Sequence, residues 1–181
     1  MKKFIFSVCL ATGLMAAGNQ NFVSLSAGNA KFDGKVSGLG TSVNVNGDDT
    51  HYTLGLGHYY DDSGRVYAVF SYVNPSSYVD YADSLSVGYD FILPVVANTF
   101  SLYAGPVVGY TWYKESDSGI SIDLSGFHYG AQAGAIVKVA KNIEVEAGYR
   151  YLIETGSDTV LGVDCDMDKV KMWYAGVNIR F

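Results

Sequence analysis

From Trp173 to the final residue, Phe181, every second side chain is apolar: Trp173, Ala175, Val177, Ile179 and Phe181. Between them stand Tyr174, Gly176, Asn178 and Arg180. Successive side chains of a strand point to opposite faces, so this segment predicts a strand with one oily face and one small or polar face. An oily face of that kind needs a cover, either a second sheet or lipid.

The same two-residue period recurs along the chain and excludes the helical one. It marks Val23–Ala27, Tyr52–Tyr60, Val66–Tyr72, Leu85–Leu93, Phe100–Trp112, Phe127–Val137 and Ile143–Ile153. With the closing strand, from Lys169, these make eight segments. Three connections are short: Asp61-Asp62-Ser63-Gly64, whose residues suit a tight turn, then Pro94–Asn98 and Ala140-Lys141-Asn142. Four are long and polar: Asn29–Asp49, Asn74–Asp83, Lys114–Ser125 and Thr155–Asp168. Pro106 falls inside a strand, where proline loses a ladder bond, and predicts a bulge there. Alternating segments joined by turns that are short on one side and long on the other are the pattern of a membrane barrel. The predicted fold is all-β: an eight-stranded, antiparallel, up-and-down transmembrane β-barrel. An even strand number puts both termini on the short-turn, periplasmic side.

Lipid is favoured over a second sheet by the placing of the aromatics. Tyr60, Phe91, Phe100 and Phe181 lie near the short-turn ends of the oily face. Tyr72, Tyr110, Trp112, Phe127, Tyr149, Tyr151 and Trp173 lie toward the long-loop ends, with aliphatic residues between. Tyr and Trp prefer the membrane interface, where an apolar ring and a polar tip are both satisfied. Composition agrees. Only 17% of the chain is charged, against about 25% in an average soluble domain. The formal charge of −6 argues against nucleic acid as a partner.

The N-terminus reads as a separate object. Lys2 and Lys3 precede the apolar run FIFSVCLATGLMAA, and Ala16 and Gly18 suit a cleavage site. This predicts a cleavable signal peptide over residues 1–18 and a barrel over 19–181. Loss of the two lysines takes the formal charge from −6 to −8. Cys165 is then the one cysteine of the exported chain and has no internal disulfide partner.

The second face carries Arg65, Asp90, Lys138, Glu144, Glu146, Arg150, Glu154 and Arg180, interleaved with glycines such as Gly55, Gly88, Gly109, Gly134 and Gly148. In an eight-stranded barrel that face is the lumen, just wide enough for side chains to fill. Buried charges must be paired. The expected groups are Lys138, Glu144, Glu146 and Arg180 near the short turns, and Arg65 with Asp90. A filled lumen opposes a narrow porin-like channel.

Enzyme chemistry needs a nucleophile, a base and an orienter within hydrogen-bond reach. The histidines are His51, His58 and His128, and no Ser–His pair stands at adjacent positions of one face. No catalytic residue is assigned, and the lipid-modifying enzyme remains the alternative. Asp164-Cys165-Asp166-Met167-Asp168 sets carboxylates at alternate positions, but a calcium loop needs further oxygen ligands and a turn glycine. No metal or cofactor is expected.

WYAGVNIRF, GPVVGYTWYK and FHYGAQAGAIVKVAKNIEVEAGYRY resemble the closing strands of the small eight-stranded outer-membrane proteins typified by OmpX and Ail, and more loosely the OmpA barrel. The resemblance covers the layout of the chain and is specific from Gly105 onward. It implies the outer membrane of a Gram-negative bacterium and a structural or adhesion-type surface role. The implied partners are outer-membrane lipid, host or extracellular macromolecules at the four long loops, and the barrel-assembly machinery at the Phe181 end.

Overall fold

The computed structural model describes residues 20–38, 41–73, 81–97, 99–117, 120–160 and 162–181. The signal-peptide segment 1–18 lies outside them. The elements are β1 (Asn21–Gly38), β2 (Thr41–Asp61), β3 (Gly64–Val73), β4 (Tyr81–Val96), β5 (Phe100–Asp117), β6 (Ile120–Asp123), β7 (Gly126–Ala140), β8 (Ile143–Glu154), β9 (Ser157–Val160) and β10 (Val163–Arg180).

Eight of these form a ring of antiparallel neighbours, β1-β2-β3-β4-β5-β7-β8-β10, and β10 pairs back onto β1. The seam is tied at its end by Asn21 N–H donating to the Phe181 carbonyl at 3.2 Å, and Phe181 N–H to that of Asn21 at 2.9 Å. Closure removes the exposed edges that an open sheet presents. The two remaining strands, β6 on β5 and β9 on β10, extend hairpins beyond the ring.

The short connections are tight. Asp61 Oδ1 accepts hydrogen bonds from the Ser63 N–H at 2.8 Å and the Ser63 hydroxyl at 2.7 Å, an aspartate turn. Thr99 N–H donates to the Val96 carbonyl at 3.0 Å, so β4 runs past Pro94 and the turn is shorter than expected.

The long connections are where the structure departs from the sequence pattern. Asn29–Asp49 is mostly paired strand: β1 and β2 continue from Asn29↔Thr50 to Gly38↔Thr41. Backbone pairing needs no oily face, and β2 is exposed on both faces over almost all of Thr41–Thr50, so it carries little alternation to read. In Lys114–Ser125, β5 reaches Asp117 and β6 returns alongside it. In Thr155–Asp168, β9 and β10 form a hairpin, and the last strand starts at Val163 rather than Lys169. Gly162, at φ +80°, makes that turn in a backbone region that side-chain-bearing residues avoid. Of Asn74–Asp83, residues 74–80 lie outside the described residues.

Pro106 makes no bulge. The β4–β5 register is the same on both sides of it, Gly88↔Val107 and Phe91↔Ala104, with a gap at Tyr89 and Asp90. On its other side Pro106 pairs Ala131 without interruption. The missing N–H costs a ladder bond to one neighbour, and the sheet leaves a gap there instead of shifting.

The outward face is apolar and exposed, with Leu25, Leu54, Phe70, Leu85, Val108 and Val177 among its members. Phe127 is 70% and Trp173 63% exposed toward the long-loop end; Tyr60 and Phe91 stand out at the other end. Aromatic neighbours on this face touch in tilted or edge-on geometry, Tyr149–Trp173 at 4.5 Å and Tyr110–Phe127 at 5.1 Å between centroids.

Candidate functional site

Inward-facing side chains occupy the ring, with a hollow of about 230 Å³ left at the short-turn mouth beside Asp62, Lys138, Glu144 and Arg180. At the short-turn end Arg180 Nη1 donates to Glu144 Oε1 at 3.0 Å, and the Tyr59 hydroxyl donates to Glu144 Oε2 at 2.8 Å. The Arg180 guanidinium lies over the Tyr59 ring, 4.3 Å from its centroid.

One layer further in, Arg65 is the hub. Its Nε donates to Asp90 Oδ2 and its Nη1 to Glu146 Oε2, both at 2.8 Å. Its guanidinium also sits 4.7 Å from the Tyr103 ring and 5.4 Å from that of Phe22, contacts that favour a cation over an aromatic face. Asp90 is fully buried and receives Gln132 Nε2 at 3.0 Å on each oxygen. Asn178 Nδ2 donates to Glu146 Oε2 at 2.8 Å. Gln132 Oε1 accepts from Arg150 Nε at 3.1 Å, Arg150 Nη2 at 2.9 Å and the Tyr174 hydroxyl at 3.2 Å. The Tyr103 and Tyr174 hydroxyls meet at 2.7 Å. Gly134 and Gly148 make room for that pair, since a Cβ on either would strike the Tyr103 hydroxyl. The buried charges thus reach one another through hydrogen-bonded neighbours, which is what repays part of their desolvation.

Toward the long loops the filling turns apolar. Ala30, Val107, Leu152, Met167, Val170 and Met172 are buried in one cluster. This plug was not legible from alternation, because Tyr151-Leu152-Ile153 and Met172-Trp173 are apolar on both faces.

Beside the plug, His128 is buried between two hydroxyls. Its Nε2 lies 2.9 Å from Ser86 Oγ and its Nδ1 2.9 Å from Thr111 Oγ1. Thr111 Oγ1 donates to Glu154 Oε1 at 3.1 Å. That donation leaves Thr111 to accept from Nδ1–H, and Nε2 to accept from the serine; the tautomer is inferred from this network. Sequence reading found no such pair. Ser86 and His128 lie on strands β4 and β7, separated by β5, and both stand in register with Gly109. The glycine has no side chain, so the two meet across it.

Arg65, Asp90, Glu144, Glu146 and Arg150 are buried in the lumen, and Arg180 is partly exposed at its mouth. The structure regroups them. Glu146 pairs with Arg65 rather than with Lys138 or Arg180. Lys138 stands half-buried opposite Glu144 in the β7–β8 register, and makes no ion pair within 4.0 Å among the described residues. Glu144 is turned instead to Arg180 and Tyr59. Gln132, Asn178, Tyr103 and Tyr174 complete the network and were not expected from the charge pattern. Among the described residues, no three His, Cys, Asp or Glu side chains are grouped to hold a metal.

The long-loop end carries a second surface. The β1–β2 ribbon exposes Val43 and Val45, at 59% and 52%. It is braced by Lys171 Nζ donating to Asp33 Oδ2 at 2.6 Å. The β5–β6 and β9–β10 hairpins are joined where Asp123 N–H donates to Asp158 Oδ2 at 2.8 Å. Thr159 Oγ1 donates to Asp164 Oδ1 at 2.8 Å. The Asp123 carboxylate also takes hydrogen bonds from Ser125, which hold it below the ordinary carboxylate range. The described residues of this surface are largely paired strand, and the surface is acidic.

A family model described as an outer membrane protein beta-barrel domain matches residues 4–181. Among solved structures, Neisserial surface protein A is 19% identical with a TM-score of 0.64, over 89% of this chain and 97% of that one. Outer membrane protein H of P. aeruginosa is 24% identical with a TM-score of 0.60, over 90% and 99%. The attachment invasion locus protein Ail of Yersinia pestis is 21% identical with a TM-score of 0.52, again over 90% and 99%. At these identities the likeness is one of fold. No curated protein matches the chain in sequence.

Proposed function

The chain belongs to the outer membrane protein beta-barrel domain family, and on that premise we propose that it is a non-enzymatic surface barrel whose external sheet contacts host or extracellular macromolecules. Residues 1–18 serve as the cleaved export signal. The short turns and both termini face the periplasm, and Phe181 is the end presented to the assembly machinery.

One observation carries the reading. The sheet does not stop at the outer aromatic belt. It continues as paired strands from Asn29↔Thr50 to Gly38↔Thr41 and exposes Val43 and Val45 there. Holding a ribbon in order beyond the membrane costs backbone entropy, and a loop serving only as a connection needs no such order. Exposed apolar side chains on an ordered, polar-rimmed surface are a recognition feature.

The enzyme alternative has one constellation to rest on, Ser86–His128–Thr111–Glu154. Ser86 is 1% exposed and faces the lumen, not lipid, so an acyl chain in the bilayer does not reach its hydroxyl.

Replacing residues 33–46 with a tight turn tests the proposal. The shortened protein should still show a heat-modifiable shift on a gel, while cells displaying it lose binding to extracellular matrix proteins and glycans that cells displaying the full chain retain. Binding unchanged by the deletion, or absent from the full chain, contradicts it.

A further inference from the structure

The outer wall of β2, β3, β4 and β5 is not uniformly covered. Cross-strand rows on its lipid side read Leu54–Phe70–Leu85–Tyr110, then Leu56–Ala68–Val87–Val108, then His58–Val66–Tyr89 beside Pro106, then Tyr60 and Phe91 at the edge. The outer rows are bulky. The middle two contain Ala68 and Pro106, and they sink into a trough of about 480 Å³. Its walls are almost wholly apolar, and it lies in the band that the aromatic belts enclose.

An apolar hollow of this kind has nothing to offer water. Left empty, its lining forfeits dispersion contacts. In a bilayer the material at hand is hydrocarbon chain.

Besides Tyr67 and Tyr89, whose rings line it, the trough has one polar member, His58. Its Nδ1 lies 2.9 Å from Asn21 Oδ1 and its ring stands edge-on to Tyr60 at 5.4 Å. Its Nε2 makes no hydrogen bond among the described residues. Three residues on, about 10 Å along the strand, comes Asp61 at the membrane edge, paired with Gly64; Asp62 turns to the lumen mouth. Asp61 is fixed by its hydrogen bonds from Ser63, which hold its carboxyl below the ordinary range. Asp61 makes no ion pair within 4.0 Å among the described residues. An acidic edge complements an ammonium and repels an anionic headgroup.

We infer that this trough holds one acyl chain of an amine-bearing phospholipid, with His58 at the glycerol or phosphate and Asp61 at the headgroup ammonium. The leaflet is the one at the short-turn edge, which rests on the orientation proposed above; the binding itself does not.

Native mass spectrometry of the whole folded protein in detergent tests it, after incubation with an equal mixture of phosphatidylethanolamine and phosphatidylglycerol. The unaltered chain should retain one phosphatidylethanolamine. Ala68→Phe fills the trough and should lower retention at least tenfold; Ala68→Leu is the milder filler, should the first variant lose its heat-modifiable shift. Ala175→Phe, outward on β10 across the barrel, should leave retention unchanged. Asp61→Asn should keep a bound lipid and lose the preference between the two headgroups. Equal retention by the Ala68 and Ala175 variants overturns the inference. So does a dimer of the chain in place of a lipid adduct, or an unaltered chain that holds both lipids alike. None of these outcomes bears on the external sheet, so the two readings fail separately.

Discussion

Arg65 illustrates how much one inward residue decides. It faces both Asp90 and Glu146, and its removal strands two buried carboxylates at once. Breaking a buried pair by taking away one partner costs roughly 3–5 kcal/mol, so Arg65→Leu should lose at least that in equilibrium unfolding from lipid vesicles. Glu146→Ala should cost less, because Arg65 keeps Asp90 and the groups that lose an acceptor are one Arg65 nitrogen and Asn178. A double-mutant cycle on Arg65 and Glu146 should show coupling, while Arg65 with Lys138 should be additive. Equal losses for the two single variants contradict this network. The charged residues themselves were legible, since parity sends them inward. Their partners were not. Pairing across the lumen depends on register and on which neighbours are glycine, as with Ser86 and His128 across Gly109, and a linear pattern carries neither.

At the scale of strands, the lipid-facing segments were legible because one oily face and one small face must alternate. The extensions of β1, β2, β5 and β10 beyond the belts were not: β2 is exposed on both faces over almost all of Thr41–Thr50, and in β10 the buried side chains Cys165 and Met167 stand among aspartates. Pro106 misled for a different reason: the rule that proline breaks a ladder is sound, but the local remedy was a gap rather than a bulge. The difference between spanning and protruding strand is measurable. Ala133→Arg and Val108→Arg put a cation into mid-bilayer and should each cost roughly 2–4 kcal/mol. Ser42→Arg, on the protruding ribbon, should stay within about 0.5 kcal/mol. Equal tolerance at all three positions contradicts a lipid-covered wall.

For the whole molecule, closure of eight strands with short turns at one end and paired ribbons at the other fixes which residues share a side of the membrane. Cysteine labelling of intact cells reads the side directly. Ser42→Cys should react with an impermeant maleimide and Asp62→Cys should not; the reverse pattern inverts the proposed orientation.

The lumen is occupied by a charged network toward one end and an apolar plug toward the other. Conductance of the purified protein in a planar bilayer tests this most directly. The filled lumen predicts current at background across the physiological voltage range, unchanged by Glu146→Ala. A steady, ion-selective current that disappears in the Glu146→Ala variant would contradict it.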